Sequence, residues 1–202
     1  MKYELFEKVV GMRVDDVYGR QIGKAVGVYA DGNAEETFIA LESGNGNFNE
    51  YPSSTFVFGE ETLVLMPSWK IDMDKLKKDG AIFRKRSDAL DQLAKDGEIP
   101  EQAYQDLVGQ YSSGTKDFKD SWAQLLESVR TRNEELKGRR TRLERFLANM
   151  KVQFKTGEIQ EGPFKNASEY VSDMMKRDEK EIEDIGSVLE SYGADRLEEQ
   201  TD

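Results

Sequence analysis

The sequence contains no cysteine and no histidine, and only four prolines among its 202 residues. Without cysteine the chain has no disulfide framework, no thiolate nucleophile and no cysteine-ligated zinc or iron–sulfur site. Without histidine it has no Ser-His-Asp triad, no HExxH metal helix and no imidazole base. These two absences exclude several large classes of enzyme.

Other motifs that carry chemistry are also missing. The sequence has no GxxxxGK[ST] loop and no GxGxxG loop, and the glycine-rich segment Ser43–Asn47 is predicted to be a hairpin turn. Acidic pairs such as Asp15-Asp16 and Glu134-Glu135 lie in turn-like or charged surroundings, which favours solvated carboxylates over a catalytic pair. We therefore expect a protein that is not an enzyme, with no catalytic residue, cofactor, metal ion or small-molecule substrate.

Long hydrophobic segments are absent as well. No apolar run approaches the roughly 18–20 residues that span a bilayer. Residues 1–16 contain no apolar stretch that ends in a small-residue cleavage site, so no signal peptide is expected. Because disulfides are absent too, we expect a cytoplasmic protein. The chain is 37% hydrophobic and 34% charged, which predicts a small core that carries long, solvated helices.

The net charge of −11 is distributed unevenly. Residues 1–70 carry 6 bases and 11 acids, residues 71–155 carry 18 bases and 15 acids, and residues 156–202 carry 5 bases and 14 acids. The net charges of these three parts are therefore −5, +3 and −9. So acidic a chain is not a general nucleic-acid binder, but its middle part is a candidate for local anion binding.

Short strands are predicted between residues 9 and 66. Turn residues such as Gly19 and Pro52 separate them, and alternation supports them, with Thr37, Ile39 and Leu41 on one face of their strand. The predicted strands are Val9-Val10, Met12–Val17, Ile22–Tyr29, Glu36–Glu42, Phe48–Tyr51, Thr55–Phe58 and Thr62–Met66. This spacing predicts a small β-barrel or sandwich over residues 1–68.

After Pro67 the apolar spacing becomes helical. Residues 69–192 are predicted to form a helical coiled-coil or hairpin region, and residues 193–202 an acidic tail that frays. Ser112-Ser113-Gly114 is predicted to break or kink the region. The predicted helices are 72–96, 100–111, 116–155 and 164–191. The expected fold class is α+β, with a small N-terminal β-barrel followed by long helices.

One predicted helix carries an apolar seam whose members recur every seven residues in two columns. The first column is Trp122, Val129, Leu136, Leu143 and Met150, and the second is Phe118, Leu125 and Phe146. Arg132 and Arg139 interrupt the second column, which either weakens the seam or pairs each arginine with a carboxylate on a neighbouring helix. The seam requires a covering helix, from the same chain or from a second copy. The opposed charges of the middle and the end favour self-association, so we expect a homodimer that grows into filaments.

A basic stretch overlaps the seam. Seven bases lie within sixteen residues: Arg130, Arg132, Lys137, Arg139, Arg140, Arg142 and Arg145. One interpretation is the charged flank of a coiled coil, whose bases pair with acids on another helix. The other is a phosphate-binding stripe for DNA or anionic lipid. No aromatic side chains alternate with the bases in the manner of single-strand binders, so a DNA contact is expected to be with the backbone, without sequence specificity.

A seven-residue pattern occurs twice, 60 positions apart. Its copies are Lys95–Glu101 (KDGEIPE) and Lys155–Glu161 (KTGEIQE), and an aromatic residue, Tyr104 or Phe164, follows each isoleucine by five positions. Each copy is predicted to end one helix at its glycine and to begin the next. We interpret the copies as reversals in a helical hairpin or bundle.

Residues 11–26 (GMRVDDVYGRQIGKAV) resemble the opening of a PRC-barrel, G-x-x-V-x-D-x-x-G-x-x-I-G, and Gly59 followed by Thr62–Leu65 is similar to its closing strand. The resemblance covers residues 6–68 and implies a β-barrel. PRC-barrels also occur in ribosome-maturation factors and in a photosynthetic reaction-centre subunit, so the barrel alone does not determine function. One alternative is therefore an adaptor that binds RNA or a ribosomal partner.

A PRC-barrel followed by a long, charged helical region with heptads resembles the CdvA family of archaeal cell-division proteins. The resemblance implies a cytoskeletal scaffold, peripheral at the division site, that forms filaments, associates with DNA and membrane, and recruits the ESCRT-III-like protein CdvB. It implies that residues 72–192 polymerise and that residues 130–145 contact DNA or lipid. The family's CdvB contact is a C-terminal peptide beyond a flexible linker. Here residues 194–202 contain a single large aliphatic anchor, Leu197, and follow no long linker, so recruitment through another surface is an open alternative.

Overall fold

The structure is a computed structural model that describes residues 7–32, 36–44 and 46–192, apart from the side chain of Ser113. The predicted acidic tail at 193–202, which includes the C-terminal peptide, lies outside the described residues. Residue 45 of the predicted hairpin turn also lies outside them. The neighbouring residues of that turn are described, and Gly46 has a φ of +80° there.

Six strands form the N-terminal part of the fold. They are β1 (Arg13–Asp16), β2 (Gln21–Ala30), β3 (Thr37–Ser43), β4 (Phe48–Pro52), β5 (Phe56–Phe58) and β6 (Thr62–Leu65), with a 3₁₀ turn at Ser53–Thr55. Each strand matches a predicted strand within one residue at either end. The predicted strand at Val9-Val10 is wrong, because residues 7–9 are helical and Val9 packs into the core of the sheet from that turn.

The strands form one sheet in the order β4-β3-β2-β1-β6-β5. Neighbouring strands are antiparallel except β1 and β6, which are parallel. Among the described residues the sheet is open and not the closed barrel that the sequence predicts. Its edges are β4 and β5, which Pro52 and the 3₁₀ turn connect without a hydrogen-bonded ladder. Proline lacks the N–H group that a further ladder bond requires.

Alternating side chains of the strands build the core of the sheet. Val14, Ala25, Ile39, Leu41 and Leu63 are fully buried. Their spacing follows the period of two that directs successive strand residues to opposite faces. Full burial of one large aliphatic side chain contributes about 1.5–3 kcal/mol. This core holds the β1–β2 turn in place, and that turn carries the first element of the candidate site.

Three helices follow: α1 (Ser68–Lys95), α2 (Glu101–Lys155) and α3 (Glu161–Tyr192). All the strands precede all three helices, which confirms the α+β class with segregated parts. The predicted break at Ser112–Gly114 is wrong, because α2 continues through it. A Cβ at Gly114 would lie 3.0 Å from the ring of Phe83 on α1, so this glycine permits close helix packing and does not end the helix. None of the helices in the described ranges is long and apolar enough to cross a membrane.

The two copies of the repeated heptapeptide form the same helix end, as predicted. Gly97 and Gly157 have φ values of +71° and +80°, the left-handed conformation that favours glycine. In both copies the amides of the glycine and of the next residue close the last turn, in a Schellman motif. These bonds run from Gly97 N to Ala94 O, from Glu98 N to Leu93 O, from Gly157 N to Phe154 O and from Glu158 N to Gln153 O.

The chain forms two compact units that combine separate stretches of sequence. The first unit contains Met1–Ser68 and Leu136–Glu183, and the second contains Trp69–Glu135 and Asp184–Asp202. Helices α2 and α3 therefore contribute to both units.

Candidate functional site

In the first unit, the β1–β2 turn is organised by Asp16. Its Oδ1 accepts hydrogen bonds from the backbone N–H groups of Tyr18 and Arg20, at 2.9 and 2.8 Å. Its Oδ2 accepts a hydrogen bond from Nε of Arg20 at 2.6 Å. Gly19 has a φ of +84°, which lets the chain reverse between these two residues. The turn thus fixes the Arg20 side chain through Nε and leaves both terminal nitrogens available for other acceptors.

Arg20 connects the sheet to α3. Its Nη1 donates to Oδ1 of Asp178 at 3.3 Å, and its Nη2 donates to Glu181. Asp178 also accepts two hydrogen bonds from Arg139 of α2, of which the bond from Nε is 2.7 Å long. We refer to Asp16, Arg20, Arg139, Asp178 and Glu181 as the Arg20 cluster. It joins a strand turn and two helices in one ionic network.

The Arg20 cluster is largely buried. Asp16, Asp178 and Glu181 are 8%, 1% and 2% exposed. Burial by itself lowers the pKa of Arg20, but its hydrogen bonds with Glu181 and Asp16 outweigh that effect, so the pKa lies above the ordinary value. Breaking a buried ion pair by removal of one partner costs about 3–5 kcal/mol, because the remaining charge is uncompensated. The cluster therefore ties the sheet to the α2–α3 hairpin at one position.

The two arginines that interrupt the predicted seam have different partners. Arg139 pairs with Asp178 on α3, the second of the two outcomes that the sequence leaves open. Arg132, in the second unit, contacts Glu135 of its own helix at 3.4 Å. The seam is thus interrupted by an inter-helix ion pair at position 139.

Other members of the basic stretch also contact carboxylates. Arg140 contacts Glu179 of α3, and Glu144 of its own helix at 3.2 Å. Arg130 contacts Glu127 at 3.6 Å, one turn away on α2. These contacts correspond to the charged flank of a coiled coil, the first interpretation of the stretch.

The last members of the basic stretch differ from the others. Arg142 and Arg145 are exposed, and neither forms an ion pair with a carboxylate among the residues that the structure describes. They are three residues apart and therefore lie on the same side of α2. Lys137 is also exposed. Within the stretch, Arg142 and Arg145 are the best-placed candidates for contact with an external phosphate.

Residues of the predicted seam differ in burial. Trp122, Leu125, Val129, Leu136 and Met150 are buried, Phe118 and Leu143 are half-buried, and Phe146 is 51% exposed. In the first unit α2 packs antiparallel to α3, as the Arg139–Asp178 pair and the stacked rings of Phe154 and Phe164, 4.5 Å apart, require. The covering helix of this part of the seam belongs to the same chain.

In the second unit, α1 and α2 pack antiparallel, with aromatic rings placed over glycines. A Cβ at Gly80 would lie 2.8 Å from the ring of Phe118, and a Cβ at Gly114 would lie 3.0 Å from the ring of Phe83. Trp122 contacts Tyr192 of α3 edge to face, with ring centroids 5.3 Å apart. A third helix therefore contributes to the seam at Trp122.

Several residues of these contacts were not predicted as site residues from the sequence. Leu126 and Asn133 of α2 are buried although they lie outside both predicted columns. With Trp122 and Val129 they follow the 3-and-4 spacing of a wide apolar face, which is typical of a helix covered by two others. On α3, the carboxylates of Asp178 and Glu181 are buried between two buried apolar residues, Val171 and Ile185. A carboxylate at a core position requires a cationic partner. The presence of acidic residues within the apolar pattern of this helix is therefore the sequence signal that could have identified them.

The helical region is similar to proteins of known family. Residues 68–201 match the family described as CdvA-like coiled-coil domain, a range that begins at the first residue of α1. The chain is also similar to a protein named Cell division protein A from Sulfolobus acidocaldarius. The two are 30% identical over 189 residues, which cover 93% of this chain and 78% of the relative.

Proposed function

Since this chain belongs to the CdvA family of coiled-coil cell-division proteins, we propose that it is a non-enzymatic cytoskeletal scaffold of archaeal cell division. The scaffold self-associates through its helical region into filaments. It contacts DNA or an anionic membrane through exposed bases of α2, and it recruits an ESCRT-III-like partner to the division site. The observation that carries the phosphate contact is the exposure of Arg142 and Arg145 on a helix whose neighbouring bases contact carboxylates.

Self-association and phosphate binding reinforce each other physically. Two arginines on one helix neutralise few phosphates, so a single chain binds DNA or a lipid surface weakly. A filament repeats the same pair of arginines along its length, and each bound pair raises the effective concentration of the next. We therefore expect binding to anionic surfaces to depend steeply both on protein assembly and on salt concentration.

The phosphate contact is tested with the variant Arg142→Glu/Arg145→Glu. We expect it to form filaments like the unmodified chain but to lose co-sedimentation with duplex DNA and with vesicles of anionic lipid. Lys119→Glu, which alters an exposed base elsewhere on α2, is the matched control and should retain binding. If the variant loses binding to only one of the two, DNA or vesicles, that one is the surface that Arg142 and Arg145 contact. Unchanged binding to both contradicts the assigned contact.

The scaffold role is tested by sedimentation and negative-stain imaging of the full chain. Filaments or dimers are expected at tens of micromolar protein, and a compact monomer at that concentration contradicts the proposal. Recruitment of an ESCRT-III-like CdvB partner is supported by family membership, so it is tested directly by binding of the two purified proteins. A fluorescent fusion in dividing cells should form a band at the division site.

A further inference from the structure

The part of the α1–α2 hairpin nearest its turn has an incomplete core. Among the described side chains from residue 78 to residue 118, Leu90 alone is buried. Residues 119–135 of α2, by contrast, contain five buried side chains: Trp122, Leu125, Leu126, Val129 and Asn133. The number of buried side chains changes at the level of Tyr192, the last described residue of α3, which contacts Trp122 and Lys77. The described part of the chain supplies three helices at Trp122 and two helices beyond it.

An apolar face on α1 lies within this two-helix part. Ile82, Ala89 and Leu93 are spaced by seven and four residues, so they share one side of the helix. Ile82 is 49% exposed and Leu93 is 37% exposed. Leu90 is buried and Phe83 lies against Gly114 of α2, so these two belong to the contact inside the hairpin. The face of Ile82, Ala89 and Leu93 is therefore separate from that contact.

Charge along α1 and the following turn changes sign at the centre of this face. Residues 78–86 contain four bases and one acid, a net charge of +3, and residues 87–98 contain four acids and one base, a net charge of −3. The change of sign falls midway between Ile82 and Leu93. Two such segments attract each other when they are antiparallel, whereas a parallel alignment places like charges together.

We propose that the face of Ile82, Ala89 and Leu93 binds the same face of a second copy of this chain, with the two α1 helices antiparallel. Ile82 of each copy then packs beside Leu93 of the other, and the small Ala89 side chains lie near the two-fold axis. The positive half of each segment lies along the negative half of its partner. This inference rests on the proposed self-association and assigns it a surface and an orientation.

The orientation is tested with spin labels, which the absence of cysteine makes straightforward. Lys78 and Asp96 are both exposed, and either can be replaced by a single labelled cysteine. In a mixture of Lys78→Cys and Asp96→Cys chains, we expect unlike labels within about 20 Å. Like labels should lie roughly 25–30 Å apart, because each residue of helix adds 1.5 Å. A parallel dimer gives the reverse result, with like labels close together, and overturns the proposal.

The surface is tested with Ile82→Asp/Leu93→Asp in the full chain. Both residues are exposed in the chain, so helicity measured by circular dichroism should be retained. The dissociation constant of the dimer, measured by sedimentation, should rise at least about tenfold. Val152→Asp, at a 60% exposed position of α2, is the matched control and should leave dimerisation unchanged. If the double variant dimerises like the unmodified chain, this inference is overturned and the proposed scaffold role still stands.

Another occupant of the face is tested in the same assay. Leu197→Asp replaces the aliphatic residue of the acidic tail and should not alter dimerisation. If it promotes dimerisation, the tail competes for the face of Ile82, Ala89 and Leu93, and the second copy is not its native occupant. An unmodified chain that sediments as a monomer contradicts the proposed self-association itself, which is a different outcome from a dimer that tolerates Ile82→Asp/Leu93→Asp.

Discussion

Arg139 on α2 and Asp178 on α3 are joined by two hydrogen bonds across the helical hairpin, and Arg20 of the sheet reaches the same carboxylate. The pair occupies positions where the sequence pattern calls for apolar side chains. An ion pair at such a position contributes little net stability to the fold by itself, because both charges lose their hydration. Arg20 supplies a further cation to Asp178 and Glu181, so the hairpin and the sheet depend on each other.

Replacing Arg20 by methionine should lower the free energy of unfolding by about 3–5 kcal/mol, because Asp178 and Glu181 then stay buried without that partner. The measurement is urea unfolding followed by circular dichroism. Arg13→Met is the matched control. Its pair with Asp15, 2.6 Å long, involves an arginine that is half exposed, so screening by water limits the loss to less than about 1 kcal/mol. Equal losses for the two variants contradict the role assigned to the Arg20 cluster.

Gly80→Ala and Gly109→Ala should change stability in opposite directions. Both glycines lie in helices, where alanine is favoured by roughly 0.8–1.0 kcal/mol. The new Cβ at position 109 meets nothing within 4 Å, so that variant is expected to be more stable. At position 80 it would lie 2.8 Å from the ring of Phe118, and the resulting overpacking should cost about 1–3 kcal/mol. Thermal unfolding measures both variants. Stabilisation by Gly80→Ala contradicts the close approach of α1 and α2.

Gly157→Ala should destabilise the reversal between α2 and α3. An L-residue with a side chain loses roughly 1–2 kcal/mol in the left-handed conformation that Gly157 adopts, at a φ of +80°. Gly162→Ala, five residues further on in the first turn of α3, meets no atom within 4 Å and should cause no loss. The urea midpoints of the two variants test this prediction. A midpoint for Gly157→Ala that is no lower than that of Gly162→Ala contradicts it.

Tyr192→Ala should change the fluorescence of Trp122. The chain has two tryptophans, so Trp69→Phe leaves Trp122 as the single probe. Removing the Tyr192 ring, whose centroid lies 5.3 Å from that of Trp122, admits water and should shift the emission to longer wavelength. Tyr170→Ala, at a 69% exposed position, should leave the emission unchanged. An identical spectrum for Tyr192→Ala would show that α3 does not cover Trp122.

The strands and the helix reversals were predictable because their determinants are local. Alternating apolar residues such as Ile39 and Leu41 predict a strand from its own sequence, and Gly97 and Gly157 predict a helix end from a few neighbouring residues. Closure of the sheet was predicted wrongly. Closure depends on hydrogen bonds between β4 and β5, which no local pattern reports.

The continuity of α2 and the Arg20 cluster depend on distant residues. The local sequence predicts a break or kink at Ser112-Ser113-Gly114. It contains no sign of the packing beside Gly114, because the ring of Phe83 that occupies this space lies on another helix. The pairing of Arg139 with a carboxylate was one of two predicted outcomes, but its partner could not be chosen from the sequence. The role of Arg20 could not be predicted from the sequence, because the turn motif that positions it gives no information about Asp178.

Arg20 and Asp178 are separated by 158 positions in the chain. During synthesis at roughly 5–20 residues per second, the β1–β2 turn emerges about 8 to 30 seconds before the acceptors on α3 exist. Asp16 lies four positions before Arg20, so the acceptor of Nε is synthesised before Arg20, whereas the acceptors of both terminal nitrogens are synthesised much later. Attachment of the sheet to α3 through Arg20 therefore cannot precede synthesis of the last quarter of the helical region, and a chain truncated before residue 178 lacks both acceptors.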